Sequence, residues 1–106
     1  MAVNLNPSKS NINRVAASLT ESNTSFFSVS PNPTSGAFTL VNQKFVQGNT
    51  YPLDIYNASG TGVAQMTLSS QQSSVSFSGP GGTYYVNLNT QDGLAVRKIT
   101  LQGANG

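Results

Sequence analysis

Short runs of alternating apolar and polar residues, about seven of them at roughly ten-residue spacing, predict an all-β, immunoglobulin-like antiparallel β-sandwich with an N-terminal arm. Three observations carry the prediction. The runs are rich in Val, Leu, Ile, Phe and Tyr at the two-residue period of a half-buried strand. The stretches between them hold chain breakers such as Pro31, Pro33, Gly36 and Gly79-Pro80-Gly81-Gly82. Charged residues make up only 8% against 37% hydrophobic, which suits a folded β-rich domain rather than a disordered tail. The 106 residues suffice for one hydrophobic core but not two.

The chain divides into an arm (1–25), a sandwich (26–101) and a polar tail (102–106). In the arm, Ile12, Val15, Ala16 and Leu19 fall on one face of a helix expected over 11–19, with Ser10 as its N-cap. That face is expected to pack on its own domain or to dock on a neighbouring subunit. Failing both, the arm stays disordered.

Phe26–Ser30 and Ala37–Val41 read as the first strand pair, joined by a rigid turn. Pro31 and Pro33 fix φ and remove donors, and Asn32, caught before a proline, is pushed toward extended geometry. Thr34 and Ser35 offer local hydrogen bonds, and Gly36 supplies positive φ. Phe38 and Leu40 then alternate with Ala37 and Thr39. A connection over 42–50 is expected to tuck in Phe45 and Val46. Tyr51–Tyr56 follows, where Pro52 suggests an edge strand or a strand's beginning.

The turn at 57–62, containing Gly60, leads into Val63–Leu68. Ser69–Ser74 reads as a polar loop, Val75–Ser78 as a short strand, and the Gly-Pro-Gly-Gly stretch as a hard break ending at Gly82. Thr83–Leu88 is the strongest strand, with Tyr84, Val86 and Leu88 facing one way. Asp92-Gly93 marks a hairpin, and Ala95–Leu101 closes the set.

Several chemistries are excluded by residue type. The chain has no His and no Cys, so the usual general base, metal ligand and thiol nucleophile are missing. Its acids are Glu21, Asp54 and Asp92, too far apart in sequence for a calcium loop. Asp92 has a sufficient role in its turn, so an Asp54–Asp92 acid pair is not expected. No catalytic, cofactor or metal site is therefore expected.

The net charge of +2 is five basic residues (Lys9, Arg14, Lys44, Arg97 and Lys98) against three acids, and the cations are too few and too scattered to neutralise a run of phosphates. Nucleic-acid binding is not expected. No apolar run is long enough to span a membrane as a helix. The N-terminus has no apolar signal core, so the chain as written is not expected to use general export. The sequons at Asn23 and Asn57 then read as chance. Tyr51, Tyr56, Tyr84 and Tyr85, with Asn87, Asn89 and Gln91 nearby, are the remaining candidates for a binding platform. Tyr84 is expected in the core instead.

Three ordered pieces carry a resemblance. They are Ser30-Pro31-Asn32-Pro33-Thr34-Ser35-Gly36-Ala37-Phe38-Thr39-Leu40, then Leu53–Gly60 with Val63, then Gly82–Leu88 followed by Arg97-Lys98-Ile99. Over about residues 28 to 101 the chain resembles the C-terminal sorting domain of type IX secretion cargo in Bacteroidetes. The resemblance implies a seven-stranded immunoglobulin-like sandwich that serves as a non-enzymatic address read by the outer-membrane translocon. Its motif residues map to Pro31, Asn32, Pro33, Gly36, Gly60, Gly82, Tyr84 and Lys98. Where family members favour Tyr this chain has Ser30, and the residues ahead of its sandwich are an Asn-rich arm.

These features leave three readings. The expected one is a small structural or assembly protein, a decoration or accessory component of a virion or surface, with self or other subunits as partners and its arm as clasp. The alternative is an excised type IX sorting domain, with translocon components as partners. The third is a glycan-binding sandwich. All three place the protein outside the cell or on a virion or cell surface.

Overall fold

The computed structural model describes residues 18–21, 26–31, 33–91 and 93–102. Ile12, Val15 and Ala16, most of the helix expected over 11–19, and the positions Asn32 and Asp92 lie outside the described residues. Ser18 and Leu19, at that helix's expected end, are not helical.

Seven strands form in the expected order: β1 (Phe27–Ser30), β2 (Ala37–Asn42), β3 (Tyr51–Asn57), β4 (Gly62–Leu68), β5 (Gln72–Ser76), β6 (Gly82–Thr90) and β7 (Gly93–Leu101). They make a three-stranded sheet, β1-β2-β5, and a four-stranded sheet, β4-β3-β6-β7, with every neighbouring pair antiparallel. The chain changes sheet after β2, after β4 and after β5. The expected sandwich is therefore present.

The period-2 pattern explains which face of each strand is inside. Phe27 and Val29, Phe38 and Leu40, and Val75 point inward from the three-stranded sheet. Tyr51, Leu53 and Ile55, with Tyr84, Val86 and Leu88, meet them from the four-stranded sheet. Fully burying one such side chain stabilises the fold by about 1.5–3 kcal/mol, set against the entropy of ordering the chain.

Three local expectations need correcting. β5 begins at Gln72 rather than Val75, because Gln72, Ser73 and Ser74 pair with Val41, Leu40 and Thr39. Ladder bonds along β2 outweigh the polarity of those side chains. β3 is interior, between β4 and β6, so Pro52 does not mark an edge. The other alternative holds: Pro52 sits second in the strand, at its beginning, and the β3–β6 ladder starts one residue later, at Leu53↔Leu88. Val46 is not tucked in but 45% exposed, whereas Phe45 packs on Tyr51 with ring centroids 5.6 Å apart.

Candidate functional site

Of the motif residues, Pro31, Pro33, Gly36, Gly60, Gly82 and Tyr84, dispersed along the chain, come to one pole of the sandwich, while Lys98 lies along β7. β1 ends there and β2 begins there, so the Pro31–Gly36 turn caps that pole. The pairing Asn57↔Tyr84 brings the β3–β4 turn, with Gly60, beside the start of β6. Gly82 pairs with Leu101, which brings the end of β7 to the same place. Ala58 and Ser59 line a shallow hollow with Pro80, Gly81 and Gly82.

The turn owes its shape to Thr34 and Gly36. Thr34 is fully buried; its Oγ1 donates to the Ala37 carbonyl at 2.7 Å and accepts from the Gly36 amide at 3.1 Å. This is the local side-chain bonding that turn chemistry anticipates at such a position. Gly36 has φ +125°, and a Cβ there would stand 2.8 Å from the Phe77 carbonyl oxygen. Glycine is needed for both conformation and space.

The turn is also fastened to the last strand, a connection that sequence periodicity does not reveal. The Thr34 amide donates to the Thr100 carbonyl at 2.9 Å, and the Gln102 amide donates to the Thr34 carbonyl at 2.8 Å. Tyr84 sits in the core as expected, and its hydroxyl donates to the Pro80 carbonyl at 2.6 Å. The Phe77 ring meets the Tyr84 ring edge-on at 5.0 Å. In the β3–β4 turn, Asn57 Oδ1 accepts from the Ser59 and Thr61 amides, and Gly60 takes φ +90°. Lys98 lies on the outer face of β7, where its backbone amide donates to Glu21 Oε2 at 2.8 Å.

The tyrosines do not make a platform. Tyr51 and Tyr84 are buried in the core, while Tyr56 and Tyr85 pair across β3 and β6 on the outer face, each half-buried. Asn87 and Asn89, their expected polar companions, are themselves buried. Among the described residues no cluster of acidic, imidazole or thiol side chains is suited to hold a metal ion. Also among these residues, no helix is long and apolar enough to cross a membrane.

Fold and pole together define an immunoglobulin-like β-sandwich module whose distinguishing residues form turns and fasten the last strand. Residues 28–102 match the family model of the secretion system C-terminal sorting domain, the type IX sorting domain. The chain belongs to that family. No curated protein matches it.

Proposed function

We propose that this domain is a non-enzymatic folded address, directing a covalently attached passenger to type IX secretion machinery and so to the cell surface or the medium. The observation that carries this reading is the family match over residues 28–102, which falls on one closed sandwich with its motif turns at one pole. It favours the sorting reading over the virion-decoration reading, for which neither fold nor comparison speaks. The partner is a protein component of the secretion apparatus, met through backbone-rich turns rather than charge.

The test fuses the chain behind a reporter that carries an export signal, in a bacterium with a type IX system. The reporter should reach the surface or medium, and should remain in the periplasm in a strain lacking the translocon. A reporter distributed identically with and without the domain would overturn the reading.

A further inference from the structure

The outer face of the four-stranded sheet, which an ordinary sandwich gives to solvent, is covered here across its middle, though Gln65, Thr67, Lys98 and Thr100 on the same face stay exposed. By strand alternation Asp54, Asn87 and Val96 point outward, and the ladders place them side by side on β3, β6 and β7. All three are nonetheless buried, Val96 completely. Ser18–Glu21, from the chain preceding the sandwich, lies against this face.

The contact at Asn87 has a particular form. Its Oδ1 accepts from the Ser18 amide at 2.8 Å, and its Nδ2 donates to the Ser18 carbonyl at 3.1 Å. A carboxamide bonding both main-chain groups of one residue imitates a neighbouring strand, and it reads no side chain. Leu19 turns toward the β3–β4 turn, its Cδ1 3.8 Å from where a Cβ on Gly60 would lie. Glu21 reaches the Lys98 amide on β7.

From this geometry we propose that Asn87 is a main-chain clamp, a binding site for polypeptide backbone that seats the segment leading into the sandwich at Ser18 whatever side chain stands at that position. The ligand is peptide backbone in cis. Its meaning for a passenger rests on the sorting reading: the passenger's tail is then held on the sheet rather than trailing free.

Amide hydrogen exchange on the full chain tests the clamp. In the unaltered protein the Ser18 amide should exchange on the order of tenfold more slowly than an unprotected peptide, as one partly buried hydrogen bond provides. Ser18→Ala should keep that protection, since only backbone is read. Asn87→Ala should abolish it while β6 and β7 amides stay protected.

An unprotected Ser18 in the unaltered protein would overturn the proposal. So would protection lost in Ser18→Ala, or protection kept in Asn87→Ala. Should Asn87→Ala unfold, the first two measurements still decide. The reporter assay reads the sorting role separately: a protected Ser18 beside failed secretion would remove the address reading and leave the clamp.

Discussion

Thr34 and Leu101 form a parallel bridge, which ties the turn after β1 to the final strand of the other sheet. Thr34→Val keeps the shape and branching of the side chain but removes the hydroxyl. The Gly36 amide then loses its acceptor in a buried place, so a loss of about 1–3 kcal/mol is expected. Urea unfolding should show a lower midpoint with an unchanged slope.

Gly36 and Gly82 both adopt positive φ, yet their surroundings differ. Gly36→Ala meets the Phe77 carbonyl oxygen at 2.8 Å, whereas a Cβ on Gly82 meets nothing within 4 Å. Gly82→Ala should therefore cost only the backbone strain, about 1–3 kcal/mol. Gly36→Ala should cost clearly more, because backbone must move. Equal melting temperatures for the two variants would refute this ordering.

Tyr51 and Tyr84 use their hydroxyls differently. The Tyr51 Oη accepts from the Val46 amide at 2.9 Å and from Asn49 Nδ2 at 3.4 Å, so it organises the 43–50 loop. Tyr51→Phe should speed exchange of the Val46 amide while the strands stay protected. Tyr84→Phe loses one bond to an exposed segment and should cost about 1 kcal/mol, read by thermal unfolding.

Leu40 and Val46 separate core from surface. Leu40 is fully buried, so Leu40→Ala should cost about 2–5 kcal/mol. Val46→Ser, at a 45% exposed position, should change stability by no more than about 0.5 kcal/mol. Denaturant melts of the two variants check both values.

Legibility in the sequence followed the locality of the physics. Strands such as β6 were readable because alternation of Tyr84, Val86 and Leu88 is a property of neighbouring residues. The Thr34–Gly36 turn was readable because its hydroxyl bonds span only two or three positions. The start of β5 is not legible, since Gln72–Ser74 are strand only because β2 lies beside them. The exposure of Val46 is not legible either, since an apolar side chain in a loop carries no period to show its direction. The Asn87 clamp left no sequence signal, because a strand asparagine looks the same whether its partner is water or Ser18.

The order of the strands has a consequence for a chain that emerges from its N-terminal end. β5 is the third strand of the first sheet but arrives only after β3 and β4 have gone to the second, which is itself complete only with β7. No leading fragment of this polypeptide is a smaller version of the sandwich. A product stopped before Gly93 lacks β7, the strand that carries Ala95 and Ile99 into the core and anchors the Thr34 turn. Such dependence on distant pairing places folding among the slower, millisecond-to-second events. A folded copy of this domain is thus a receipt for a finished chain, since a prematurely ended one cannot display the same surface.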